Sequence, residues 1–182
     1  MLDFIYTLPI YFMTLTVIVY IPIRLSLLKR RNNEVSLYKE FIYILSIIYL
    51  ESLLYLTIFP ASSSIEGWTG INILPFHTIN GYLYLFSQGY TETAIINLVG
   101  NVVVFVPIGI LLVLIYKKHT FKKMLLIGFL CSLGIEITQL VLSSLHILSR
   151  SFDIDDLILN TLGVMCGYLL MKIILNINKT KT

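Results

Sequence analysis

Long apolar runs separated by short polar breaks dominate this chain. Five of them, over residues 4–28, 41–59, 94–116, 124–143 and 155–174, approach the roughly 20 residues a helix needs to cross a bilayer core. Apolar positions follow one another without alternation, as in Leu111-Leu112-Val113-Leu114-Ile115. A lipid-facing β-barrel would alternate. A helix satisfies all of its backbone groups internally, which lipid requires. The pattern predicts an all-α fold: a polytopic integral membrane bundle of about five transmembrane helices, forming one membrane domain over residues 1–182.

Composition agrees. Hydrophobic residues make up 57% of the chain and charged residues 13%, against about 25% charged in a soluble domain. The placement of charge adds an orientation. Lys29, Arg30, Arg31 and Lys39 follow the first run, Lys117, Lys118, Lys122 and Lys123 the third, and Lys179 and Lys181 the fifth. The connection over residues 60–93 has no lysine or arginine, and the one before the fifth run has only Arg150. Positive residues collect on the cytoplasmic side, so the N-terminus is expected outside and the C-terminus inside. Arg24 and Lys172, near inner helix ends, can snorkel. Asp3 and the absence of early basic residues argue against a cleaved signal, so the first run is expected to be retained. Cys131 and Cys166 lie in apolar runs and read as small core residues. His77 and His146 lack zinc-ligand spacing. No basic nucleic-acid patch, nucleotide signature or nucleophile elbow is present.

The 60–93 connection is rich in aromatics: Trp68, Phe76, Tyr82, Tyr84, Phe86 and Tyr90. Such residues favour the membrane interface. Two readings stand: an interfacial or partly re-entrant segment, and an ordinary aromatic-belt loop.

Polar residues inside the runs carry the candidate chemistry, because intramembrane charge is costly and usually serves a purpose. Glu51 and Glu136 are the two carboxylates, joined by Asn97, Asn101, Gln139 and Asn160. At about 1.5 Å of rise per residue, Glu136, Asn101, Asn160 and Glu51 fall roughly 8–13 Å below the outer boundary. They are expected to share one level. Glu136 and Gln139, Ser132 and Glu136, and Asp156 and Asn160 sit three or four apart, on common helix faces. The turn before the fifth run crowds Asp153, Asp155 and Asp156, which repel unless neutralised. Arg150 is expected to pair with one of them, and a divalent cation held by Asp153 and Asp156 with the others. A plainer reading makes Asp153 a helix cap, with Asp155 and Asp156 favoured by the helix dipole. Pro107 predicts a kink in the third helix. Gly163 and Gly167 form a small-xxx-small pair suited to close helix packing.

Four stretches together point to a family. Asn72-Ile73-Leu74-Pro75-Phe76, Asn101-Val102-Val103-Val104-Phe105-Val106-Pro107-Ile108-Gly109 and Glu136-Ile137-Thr138-Gln139 come first in order. Arg150-Ser151-Phe152-Asp153-Ile154-Asp155-Asp156 follows, continued by Asn160-Thr161-Leu162-Gly163 and Gly167-Tyr168. This series resembles the VanZ-like membrane proteins over residues 56–170. The resemblance implies a multi-pass protein of the bacterial plasma membrane and an association with resistance to the glycopeptide teicoplanin, without a settled mechanism. It brings Asn72 into a ligand-binding set with Asn101, Gln139, Arg150, Asp155, Asn160 and Glu51. Three functional readings follow. The first is an outer-leaflet site for an envelope lipid, a lipid-linked cell-wall precursor or the glycopeptide itself. The second is an enzyme with Glu136 as general acid or base and Asp153 and Asp156 holding a cation, with Arg150 clamping an anion. The third is an ion-coupled transporter working through Glu51 and Glu136, with Gly163 and Gly167 joining copies into a homo-oligomer.

Overall fold

A computed structural model describes residues 2–31, 36–58, 70–116, 120–145 and 150–179. Trp68 and His146 lie outside the described residues, as do Lys117, Lys118 and Lys181. Helices α1 (Leu2–Arg31) and α2 (Leu37–Ile58) come first, followed by strand β1 (Ile71–Asn72) and a short helix α3 (His77–Ser87). Helices α4 (Thr91–Ile115) and α5 (Phe121–Ser144), strand β2 (Phe152–Asp153) and helix α6 (Ile154–Lys179) complete the order.

The fold is an all-α polytopic membrane bundle. Among the described residues four stretches are long and apolar enough to cross a bilayer: Leu37–Thr57, Thr91–Ile115, Phe121–Ser144 and Ile154–Asn176. The sequence predicts about five. The first run forms helix α1, 30 residues long, within which Met13–Leu27 is the apolar stretch among the described side chains.

The chain separates into two compact units, residues 1–57 and 58–182, where the hydrophobic pattern suggests one. In the first unit Glu40 accepts from Arg24 Nε at 3.0 Å and from the Tyr20 hydroxyl at 3.1 Å. The Arg24 guanidinium also stands 5.3 Å from the Tyr43 ring centre. Arg24 therefore has a carboxylate partner on the neighbouring helix, where the sequence suggests a snorkelling cation. Glu51 belongs to this unit and is half-buried in α2, with Oε2 lacking a hydrogen-bond partner.

The second unit is built on α6, which packs most extensively on α4 and next on α5. Glycine explains the α4–α6 contact. A Cβ on Gly163 would collide with the Val102 carbonyl, one on Gly167 with the Val106 carbonyl, and one on Gly109 with the backbone at Val164 and Tyr168. Residue numbers rise together along this seam, so α4 and α6 run parallel. Contacts of α5 run the other way: Ser132 meets Asn160, Gly128 meets Val164, and Met124 packs with Met165 and Tyr168. The small-xxx-small pair thus works inside the chain. This corrects the use of Gly163 and Gly167 as a homo-oligomer surface, because their close-approach faces are already filled by α4. Helix α4 is continuous through Pro107. Thr120 caps α5 by accepting from the Lys123 amide at 3.3 Å.

Packing divides the unit along its length. Val113, Met124, Met165 and Tyr168 fill an apolar core at one end. The start of α4, the end of α5 and the start of α6 meet at the other end, where buried polar residues gather.

Candidate functional site

The polar end is organised by a contact of two residues per strand. β1 and β2 pair in parallel, with Ile71 opposite Phe152 and Asn72 opposite Asp153. This register sets the Asn72 amide against the Asp153 carboxylate at 3.2 Å. The same amide donates to Thr78 Oγ1 at 2.9 Å, and the Thr78 hydroxyl donates to Asp153 Oδ2. Asn72 Oδ1 accepts from the Leu74 amide at 3.2 Å, turning the chain into Pro75. Asp153 Oδ1 also accepts from the Asp155 amide at 2.9 Å. Asp153 therefore caps α6, as the plainer reading expects.

Asp155 acts on a different helix. Phe76, the residue before α3, has φ 66° and supplies no side-chain cap. The cap comes from far along the chain. Asp155 Oδ1 accepts from the Phe76 amide at 2.6 Å, and Oδ2 accepts from the amides of Thr78 at 2.8 Å and Ile79 at 3.1 Å. A fully buried carboxylate (0% exposed) thus neutralises the open amide end of α3 while standing in the first turn of α6. Both N-termini favour a negative charge. Sequence reasoning assigns Asp155 to its own helix dipole; the larger part of its bonding goes to α3.

Glu136, 2% exposed, accepts the Asp153 amide at Oε2 over 3.1 Å. One turn further into α5, Ser132 Oγ accepts from Asn160 Nδ2 at 3.1 Å, while Asn160 Oδ1 is buried without a partner. Asn101 Nδ2 donates to Asp156 Oδ1. Gln139 is buried on the same helix as Glu136. The structure therefore joins Asn72, Asn101, Glu136, Asp153, Asp155, Asp156 and Asn160 into one polar end. Asn97 does not join it, because its amide donates to the Thr93 carbonyl of its own helix. Glu51 lies in the first unit and is described there.

Arg150 departs from expectation. Its backbone amide donates to Ser143 Oγ at 3.1 Å. Among the described residues its guanidinium makes no close ion pair with the carboxylates, and Nε is buried without an acceptor. The turn has already supplied Asp153 and Asp155 with amide and hydroxyl donors. Arg150 Nε is left without an acceptor.

The same bonding bears on a cation. Both oxygens of Asp153 already face donors, which is poor surrounding for a metal ligand. Among the described residues no group of three or more His, Cys, Asp or Glu side chains is disposed to hold a metal. Asp156 has a donor at Oδ1, from Asn101.

Two residues join the site that the sequence reading does not assign to it. Thr78 bridges Asn72 and Asp153. Tyr82, one turn along α3, is half-buried beside the acidic turn. Burial pushes its phenol above the ordinary value, reinforced by the charges of Asp156 and Asp153 and opposed by Arg150. Only a helical spacing of four between them would have hinted at either.

The buried polar residues of the four motif stretches thus come together at one end of one unit. The pattern of the VanZ/LLP1 family matches residues 45–175, well over half of the chain. The chain belongs to the VanZ/LLP1 family. No curated protein and no solved structure matches it. The family match begins within α2 and extends through most of α6, so it takes in every element of the polar end.

Proposed function

We propose that this VanZ/LLP1 member sits in the bacterial plasma membrane with the 30-residue α1 as a fifth crossing, N-terminus out and C-terminus in. There it binds an envelope lipid or a lipid-linked wall precursor at the polar end of its second unit. Occupancy of that site lowers susceptibility to teicoplanin-type glycopeptides. The observation that carries this reading is the Arg150 guanidinium, whose buried Nε lacks an acceptor although three aspartates stand within six residues of it. A buried donor without an acceptor costs about 1–3 kcal/mol. An anionic headgroup supplies the missing acceptor, and guanidinium suits phosphate or carboxylate geometry. Asp156 and Glu136, each given one donor here by Asn101 and the Asp153 amide, flank it and would receive hydroxyl or amide groups of the same ligand.

The test is susceptibility in a sensitive bacterial host with and without the protein, at matched membrane abundance. Wild type is expected to raise the inhibitory concentration of teicoplanin more than that of vancomycin, which lacks the acyl chain. Arg150→Ala removes about 2 kcal/mol of charged hydrogen bonding, roughly thirty-fold in ligand affinity, and should return cells to the empty-vector value. Asn97→Ala, which alters only a bond within its own helix, should keep the wild-type value. A wild-type chain that shifts neither antibiotic, or an Arg150→Ala chain that protects fully, overturns the reading.

A further inference from the structure

We propose that α3 lies in the plane of the membrane interface, with one flank in lipid, one in water and one against the bundle. Three observations carry this. The first is that the segment is too short to span, at 11 residues, and residues 70–90 contain no Asp, Glu, Lys or Arg. A second is the way burial divides the helix. Thr78, Tyr82 and Leu85 are half-buried on one face, toward α4 and α6. Leu83 and Phe86 share a neighbouring flank and are 53% and 50% exposed. Asn80 and Ser87 are exposed on the side away from the bundle. At about 100° per residue these are three distinct sectors of one helix. Thirdly, the segment is continuous with a lipid-facing surface. Its exposed Ile73, Leu74 and Phe76 precede α3, and exposed Ile95, Ile96 and Val99 follow at the start of the spanning helix α4.

An apolar flank this large is unfavourable in water and ordinary at the boundary of headgroups and acyl chains. The Asp155 cap satisfies the amide end of α3, so the helix can sit at that depth without open backbone groups. The occupant of the flank is the bilayer itself. One consequence deepens the binding reading and rests on it: Thr78 and Tyr82 stand between lipid and the acidic turn, so an amphiphile would reach Arg150 sideways along α3.

The experiment uses the full chain reconstituted in bilayers. Trp68 is the single tryptophan, so Trp68→Phe gives a silent background. Leu83→Trp, Phe86→Trp and Asn80→Trp are then introduced one at a time. Brominated acyl chains should quench most of the emission at 83 and 86, with a blue shift, and aqueous iodide should leave it nearly intact. Position 80 should show the reverse. Iodide quenching at all three positions would make α3 a water-exposed loop. Acyl-chain quenching at all three would make it re-entrant. Either result overturns the in-plane assignment, and neither depends on whether the protein binds a ligand or protects against teicoplanin.

Discussion

Asp155→Ala should be the most damaging single substitution in the second unit, destabilising it by about 3 kcal/mol in thermal unfolding of the reconstituted protein. The expectation rests on the three amides of Phe76, Thr78 and Ile79 that its carboxylate accepts. Hydrogen bonds to a charged group contribute about 1.5–3 kcal/mol each, and orphaned buried donors cost their full desolvation. An opposing effect is the relief of repulsion with Asp153 and Asp156. Asp153 is already compensated by Asn72, Thr78 and the Asp155 amide, so this relief is the smaller effect. Asp155→Asn should fall between, since one acceptor oxygen remains while the new NH₂ group faces an amide. Protease cleavage within residues 70–90 should rise in the same order. Wild-type unfolding and cleavage in Asp155→Ala would show that α3 does not need this cap.

Gly167→Ala should destabilise by about 1–3 kcal/mol, the usual cost of overpacking a close contact. The sign is the informative part. In an exposed helix the same change stabilises by about 1 kcal/mol, because alanine loses less backbone entropy. Here the added carbon would collide with the Val106 carbonyl and approach the Ile110 amide. Both are backbone atoms, which cannot turn aside as a side chain can. Gly134→Ala on α5 is the control, since nothing lies within 4 Å of its added carbon, and it should stabilise. Equal shifts for the two variants in thermal unfolding would rule out the tight α4–α6 seam.

These two residues also mark what a sequence can and cannot disclose. Gly163 and Gly167 are legible because a helix repeat of four places small residues on one face, although the repeat does not say whether the partner is α4 or another copy. The spanning helices are legible for a similar reason: hydropathy over about 20 residues is a local property. Asp153 as a cap is local too. Asp155 is not, because its acceptors' partners are backbone amides 76 to 79 residues away, and an amide leaves no mark in composition. The two-residue β1–β2 pairing is hidden for the same reason. Arg150 was expected to seek the nearest aspartates, but backbone and hydroxyl donors reach them first. Helical rise puts Glu136, Asn101, Asn160 and Glu51 at one level. The first three meet at the polar end, with Asn160 bonded a turn deeper at Ser132, while Glu51 belongs to the other unit. Tyr82 and Thr78 need the short helix α3 to bring them in.

The long reach of Asp155 has a consequence for how the protein is made. The ribosome delivers α3 well before the residue that completes it, and two further helices must enter the membrane in the interval. Until the last helix arrives, the start of α3 has to borrow water or headgroups for its amides. A nascent chain stopped before residue 150 would thus carry an unfinished α3, closed only when Asp155 arrives at the start of α6.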